Sequence, residues 1–206
     1  MQTSFDIQEL FGGIDIYLFD MLLKGRFRSG MRVLDAGCGA GRNLVYFLKS
    51  GYDVCGTDQS QSAIAQTREL AAKLAPRLPA ENFRVEPVER MSFPDCTFDV
   101  VLSSAVLHFA HTEEQWHTMV DEMWRVLKPG GIFFARLASS IGIEERVELI
   151  EGRRFHLPDG SDRFLVDEAM LISVTAALGA TFIEPIKTTI VQNMRSMTTW
   201  CLSKGA

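Results

Sequence analysis

A glycine-rich stretch after the first apolar run constrains the fold of this chain more than any other feature. Val33 and Leu34 are typical of a buried parallel strand, and the carboxylate of Asp35 ends the run. Three glycines at alternate positions follow within residues 37–41, where they allow a tight turn and close approach of a ligand. A helical pattern begins at Asn43. Strand, glycine turn and helix together are typical of a nucleotide-binding element in which the helix N-terminus faces the ligand.

A second predicted strand, residues 52–58, adds an acid at the expected position. Asp58 lies about twenty residues beyond the glycines, where a carboxylate accepts hydrogen bonds from the ribose hydroxyls of an adenosine. These features alone also fit a nicotinamide dinucleotide. However, the glycines follow G-x-G-x-G and not G-x-G-x-x-G. Asp35 ahead of them repels a diphosphate but suits a ligand that carries an ammonium and a sulfonium group.

Residues 35–41, D-A-G-C-G-A-G, resemble the first motif of the class I S-adenosylmethionine-dependent methyltransferases, D/E-x-G-x-G-x-G. The F-D-V-V-L-S-S-A-V-L-H-F stretch at 98–109 and the L-K-P-G-G turn at 127–131 are similar to later motifs of that family. The G-R-N sequence at 41–43 resembles its small tellurite-resistance-type branch. The resemblance covers residues 30–136. It implies an α/β fold with a doubly wound, Rossmann-like, mostly parallel sheet, and S-adenosyl-L-methionine as cofactor.

The resemblance also implies contacts for the methionine and ribose parts of the cofactor. Asp35 is expected to face the methionine ammonium group, and Arg42 its carboxylate. Asp58 is expected to bind the ribose, with Gln59 beside it. Further backbone and side-chain contacts are expected from Gly37, Gly39 and Ser103.

The adenine contact departs from the family pattern. The family's third motif usually reads D-A-x-x-L-P-F, and Pro87 stands where its acid would meet the adenine amino group. We therefore expect the backbone N–H of Val88 to reach an adenine ring nitrogen. The carboxylate of Glu89 is expected to take over the amino group.

Three further segments complete the predicted architecture. Residues 1–29 are rich in apolar side chains and are interpreted as a helical cap that is broken at 12–13. Residues 136–166 show no simple alternation of strands and helices and are interpreted as a substrate lid, because long irregular segments at a ligand edge are usually functional. Residues 181–202 alternate around a turn, which predicts a C-terminal antiparallel β-hairpin. We predict a single domain over residues 1–206.

Candidate acceptor-binding residues come from several of these segments. Tyr17 lies in the cap, and Ser104 and His108 follow the predicted strand at 98–104. Arg136 and His156 come from the predicted lid. His108 is also the candidate catalytic base, since a histidine pKa can lie near physiological pH. A packing role for a histidine at a helix start fits the sequence equally well.

Charge and composition argue against several other classes of function. A net charge of −5 disfavours a nucleic-acid partner. No apolar run is long enough to predict a membrane span, and no export signal is predicted at the N-terminus. The four cysteines form no C-x-x-C pair, which favours reduced thiols in the cytoplasm. The histidines at 108, 111 and 117 lack the spacing of a metal-binding set, so no metal is predicted.

The leading hypothesis is a cytoplasmic S-adenosylmethionine-dependent methyltransferase that acts on a small molecule by in-line displacement. A nicotinamide-dependent oxidoreductase and a non-catalytic S-adenosylmethionine-binding protein are the alternatives. The sequence leaves open the acceptor, the need for a general base and the oligomeric state.

Overall fold

The computed structural model describes residues 6–205, which contain an eight-stranded sheet and a separate three-stranded sheet. The larger sheet is built from β1 (Arg32–Ala36), β2 (Asp53–Asp58), β3 (Phe83–Val85), β4 (Phe98–Ser104), β5 (Leu127–Ala138), β9 (Thr181–Phe182), β10 (Lys187–Val191) and β11 (Arg195–Ser203). The smaller sheet is built from β6 (Glu148–Glu151), β7 (Arg154–His156) and β8 (Asp162–Phe164).

The larger sheet has the order β3-β2-β1-β4-β5-β11-β10, and β9 also pairs with β11. Neighbouring strands from β3 to β5 are parallel, whereas β11 is antiparallel to both β5 and β10. The hairpin between β10 and β11 turns at Gln192 and Asn193, which both adopt positive φ. The predicted fold class, including the C-terminal hairpin, is confirmed.

Helices cover both faces of this sheet. Those of the described chain are α1 (Ile7–Phe11), α2 (Ile16–Leu23), α3 (Val45–Lys49), α4 (Gln61–Leu74), α5 (Glu113–Val126) and α6 (Glu168–Ala177). Apolar residues of α2, α3 and α4 pack on one face of the sheet, and those of α5 and α6 pack on the other. Because strand residues alternate between faces, each central strand contributes to both cores.

Three of the longer helices begin at a side-chain cap. Ser60, Thr112 and Asp167 precede α4, α5 and α6, and the side chain of each accepts a backbone N–H from the first turn. The apolar residues at helical spacing on α5 are buried; they are Trp116, Met119, Val120, Met123 and Val126.

Two element boundaries differ from the prediction. Helix α3 has only five residues and begins at Val45, because turns closed by the N–H groups of Gly41 and Leu44 occupy the start of the predicted helix. Strand β5 begins at Leu127, since the predicted turn at Gly130–Gly131 exchanges backbone hydrogen bonds with Lys204.

Residues 136–166 were expected to be irregular, and this was wrong. Strand β5 continues to Ala138, and β6, β7 and β8 then form an antiparallel sheet. Turns at Gly152 and Gly160, both with positive φ, connect these short strands. The strands have only three or four residues each, too few for their alternation to be recognised in the sequence. Of the predicted cap, residues 1–5 lie outside the described residues, and α1 and α2 flank the predicted break.

The glycine turn after β1 provides a stability test. A Cβ built on Gly37 lies 2.5 Å from Cγ2 of Val106, whereas one built on Gly39 meets no atom within 4 Å. Both glycines have positive φ. We expect Gly37→Ala to lower the free energy of unfolding by roughly 1–3 kcal/mol more than Gly39→Ala does, since the β-branched Val106 cannot rotate away cheaply. Urea denaturation of both variants measures this difference, and equal losses would contradict the packing described.

Candidate functional site

A cavity of about 620 Å³ opens at the carboxyl ends of β1, β2 and β4. Ligands of open α/β sheets bind at this edge. The cavity is bounded by the loops after these strands, the start of α5, and strands β7 and β8. The predicted site residues that line it are Gly37, Gly39, Arg42, Asp58, Gln59, Val88, Glu89, Ser104 and His108. Those that do not are Asp35, Ser103, Tyr17, Arg136 and His156.

The carboxylate of Asp58 is held in a fixed orientation at the end of β2. Its Oδ2 accepts a hydrogen bond from the Gly39 N–H at 2.9 Å, and its Oδ1 accepts one from the Ser60 N–H at 2.8 Å. Each oxygen keeps lone-pair capacity beyond these bonds, because an ionised carboxylate has about four acceptor sites. Asp58 can therefore accept two further donors from the cavity.

Asp35 has the most unfavourable electrostatic environment near the site. It is 1% exposed, and neither carboxylate oxygen has a hydrogen-bond partner within the described structure. Burial raises the pKa of Asp35 to about 7; the negative charge of Asp58 adds to this effect, and the positive charge of Arg42 opposes it. A buried carboxylate without a partner is costly, so this position favours a cationic ligand group.

A polar network behind the cavity wall joins several of the predicted residues. Arg42 donates to the Ser104 hydroxyl at 3.2 Å, and that hydroxyl donates to Asp15 Oδ2 at 3.3 Å. The same Asp15 oxygen accepts from Arg136 at 2.7 Å. The Arg136 guanidinium also lies over the ring of Tyr17, 5.3 Å from its centroid. Arg136, Ser104 and Tyr17 are thus brought together, but around a carboxylate of the protein itself.

Asp15 is the functional candidate that sequence reasoning missed. Its side chain is fully buried, and its other oxygen accepts the Tyr17 N–H at the start of α2. The only signal in the sequence is an acid before a helix, which indicates an ordinary N-cap. The ion pair with Arg136 spans 121 residues of sequence, so no local pattern indicates it.

Two predicted residues lie apart from this group. Ser103 is buried on β4 with no partner for its hydroxyl in the described residues, and its side chain points to the opposite face from Ser104. His156 is exposed on β7, where Nδ1 lies 2.7 Å from Asp162 Oδ1. Asp162 lines the cavity, so His156 contacts a residue of the cavity wall but does not line the cavity itself.

His108 lies in the cavity wall with a defined tautomer. Its Nδ1 accepts the backbone N–H of Ala138 at 3.2 Å, so a neutral ring carries its proton on Nε2. Burial and the nearby charge of Arg163 lower the pKa of His108 to about 4. A base acting through Nε2 needs a free lone pair there. The geometry instead favours an N–H donor, and the base role stays a prediction.

On the expected adenine side, Val88 is buried and Glu89 is held in place. The Glu89 carboxylate accepts a hydrogen bond from the Gln115 side-chain amide. The amide oxygen of Gln115 in turn accepts the backbone N–H of His111 at 2.7 Å. Gln115, from α5, was not predicted, because its position suggested only a capping-box residue.

Within residues 6–205, no group of three or more His, Cys, Asp or Glu side chains is arranged to hold a metal ion. In the same range, no helix is both long and apolar enough to cross a membrane.

Comparison with known proteins identifies the class of this domain. Residues 34–135, about half of the chain, match the family model described as a methyltransferase domain. An uncharacterized methyltransferase from Synechocystis is 36% identical over 104 residues, which are 50% of this chain and 45% of that protein. The malonyl-[acyl-carrier protein] O-methyltransferase of Pectobacterium atrosepticum is 30% identical over 111 residues, 53% of this chain and 40% of that protein. The chain thus spans about half the length of these curated relatives.

A solved structure agrees with the fold. The S-adenosylmethionine-dependent methyltransferase of Methanosarcina mazei superimposes with a TM-score of 0.73 at 21% identity, covering 89% of this chain and 97% of that one. Residues 34–135 thus form a methyltransferase domain with the fold of S-adenosylmethionine-dependent methyltransferases, and the predicted cofactor, S-adenosyl-L-methionine, is confirmed.

The environment of Asp35 predicts a pH-dependent stability difference. Its ordinary pKa is 3.8 and its pKa in the folded protein is about 7, so folding favours the protonated form. The folded state is therefore destabilised as pH rises from about 4 to 7, and the penalty persists above that range. We expect Asp35→Asn to be more stable than the wild type by roughly 4 kcal/mol at about pH 8, and about equally stable near pH 4. Thermal unfolding across this range measures the difference.

The control is Asp53→Asn, which removes an exposed carboxylate from the neighbouring strand. Its stability difference from the wild type should show no comparable step. An Asp35→Asn difference that does not change with pH would contradict the unpaired burial of Asp35.

The tautomer of His108 can be measured directly. Nitrogen-15 NMR of the histidine side chains near pH 7 should show a protonated Nε2 and an unprotonated Nδ1 for His108. The ring should stay neutral down to about pH 5, because its pKa is lowered to about 4. His108→Gln assigns the signal. A titration midpoint close to the ordinary value of 6.5 would contradict the buried geometry.

Proposed function

We propose that this protein transfers the methyl group of S-adenosylmethionine to a small molecule bound in the outer part of the cavity. One observation carries the proposal. The unpaired, buried carboxylate of Asp35 lies at the end of β1, and the next strand presents the ordered carboxylate of Asp58 to the cavity. A cation and a hydroxyl pair on one ligand would satisfy both acids, and a diphosphate would satisfy neither.

The residues present fit each part of the cofactor. Asp58 would accept the ribose hydroxyls, with Gln59 next to it in the cavity wall. Asp35 lies outside the cavity wall, so it would pair with the methionine ammonium through a water, and the exposed Arg42 would bind the methionine carboxylate. Gly37 and Gly39 would leave room for the chain between them.

The adenine would lie against the opposite wall. There, the Val88 N–H would meet a ring nitrogen and Glu89 the amino group, with Gln115 holding Glu89 in position. Ser103 lies outside the cavity, so its predicted cofactor contact would need to act through the backbone.

When bound, the cofactor supplies a methyl group that is already activated by its sulfonium. The protein's tasks are then to align the acceptor and to exclude water. We infer that strands β6–β8 act as the acceptor-side cover in place of an irregular lid, since β7 and β8 contribute Arg154, Asp162 and Phe164 to the cavity wall. Helix α2 would close the methionine side through the Asp15–Arg136 pair.

Two finer assignments belong to the same proposal. The G-R-N sequence at 41–43 supports the tellurite-resistance-type branch, and Arg42 of this sequence lines the cavity. A cytoplasmic location is supported by the four free cysteines, of which only Cys96 is exposed.

Calorimetry provides the first test. We expect S-adenosylhomocysteine to bind and NAD not to bind, and Asp58→Asn to weaken S-adenosylhomocysteine binding by about 10- to 100-fold, since a charge-assisted hydrogen-bond pair is lost. Asp53→Asn, on the same strand but exposed at its far end, is the matched control and should bind normally. Binding of NAD alone would overturn the proposal.

Transfer of a labelled methyl group to acceptor panels then separates catalysis from cofactor binding without turnover. Thiols, amines, hydroxylated aromatics and carboxylic acids cover the acceptor classes. Label on any of them supports a methyltransferase. Binding of the cofactor with no label transferred to any class favours the non-catalytic alternative.

A further inference from the structure

The outer end of the cavity contains polar residues that the cofactor assignment does not use. Strands β7 and β8 pair with Arg154 opposite Phe164 and His156 opposite Asp162. Register partners and alternate residues share a face of a sheet, so these four side chains lie on one face. Three of them, Arg154, Asp162 and Phe164, line the cavity.

Arg154 has no carboxylate partner among residues 6–205, although neighbouring charges are paired. Arg153 bonds to Asp167 at 2.9 Å, and Asp162 lies 2.7 Å from His156. The contact of Arg154 is instead with a ring nitrogen, His111 Nδ1, at 3.2 Å. A half-buried guanidinium in a cavity wall without an anion is a ready site for a carboxylate, which it can bind through two parallel N–H groups.

The surrounding wall is also rich in hydrogen-bond donors. Because arginine can only donate, His111 accepts at Nδ1 and carries its proton on Nε2 when neutral. His108 likewise has its proton on Nε2, since Nδ1 accepts from Ala138. The two carboxylates nearby each have one partner, Asp162 with His156 and Glu89 with Gln115.

The rest of this end is apolar. Phe109 is 57% exposed beside the cavity, while Phe164 and Met119 form buried parts of its wall. A ligand that fits such a surface has an apolar body and one anionic group.

We propose that the methyl acceptor is a small organic acid with an apolar body, held by its carboxylate on Arg154. This rests on the proposed function, because it assigns the acceptor end of the same cavity. Arg154 would then decide which small molecules are accepted, with His108 and His111 as additional N–H donors on the wall.

The test compares matched probes: benzoate with benzamide, phenylacetate with phenylacetamide, and hexanoate with hexanamide. Their dissociation constants are measured by ligand-observed NMR titration, with and without saturating S-adenosylhomocysteine. In the wild type we expect at least one acid to bind about tenfold more tightly than its amide, as a charge-assisted pair predicts.

Arg154→Gln should abolish this preference, and Arg154→Lys should restore part of it, since lysine keeps the charge but not the paired N–H geometry. Arg153→Gln is the matched control. Arg153 directly precedes β7, is paired with Asp167 and is absent from the cavity wall. The control variant should keep the preference for an acid over its amide. Melting temperatures confirm that each variant is folded.

Two results would overturn the inference: no acid preferred over its amide in any pair, or a preference that survives Arg154→Gln. If either result is obtained while S-adenosylhomocysteine still binds normally, the proposed function is not contradicted. Failure of S-adenosylhomocysteine to bind, with the acid preference still present in the free protein, would overturn the proposed function and leave Arg154 as an anion site.

Discussion

The architecture of the site depends on one unfavourable arrangement, the carboxylate of Asp35 buried without a partner. In the sheet its register neighbours are Leu102 and Gly56, and no donor among the described residues bonds to either of its oxygens. Such burial is costly unless a ligand compensates for it. The position of Asp35 is therefore explained if it belongs to a binding site, because a cationic ligand group would offset the cost of burying its charge.

The second carboxylate of the site, that of Asp58, has hydrogen-bond partners. Asp58 receives two backbone N–H groups, one from the glycine turn and one from the start of α4. These bonds tie the turn after β1 and the start of α4 to the end of β2. A third acid, Asp15, is neutralised by Arg136 and brings helix α2 against the same edge. The three acids thus have different surroundings: Asp35 is buried without a partner, Asp58 is held by two backbone N–H groups, and Asp15 is paired with Arg136.

The sequence was informative where a local pattern has a local cause. Apolar runs predicted β1, β2 and β4, and the caps at Ser60, Thr112 and Asp167 were visible because their partners lie within one helical turn. The pairings that define the site are not local. The tautomer of His108 depends on Ala138, 30 residues later, and Arg136 meets a carboxylate 121 residues earlier. From the sequence alone, Arg136 was expected to be available to a ligand. In the folded chain its guanidinium is already paired with Asp15.

The titration of Asp35 tests the central claim most directly. Carbon-13 NMR of its carboxyl group should give a pKa of about 7 in the free protein. In the complex with S-adenosylhomocysteine the pKa should fall well below that value, because an ammonium group stabilises the ionised form. Methylthioadenosine, which lacks the amino-acid part, should leave the pKa nearly unchanged. An Asp35 pKa that does not respond to S-adenosylhomocysteine, or that responds equally to both ligands, would contradict the account.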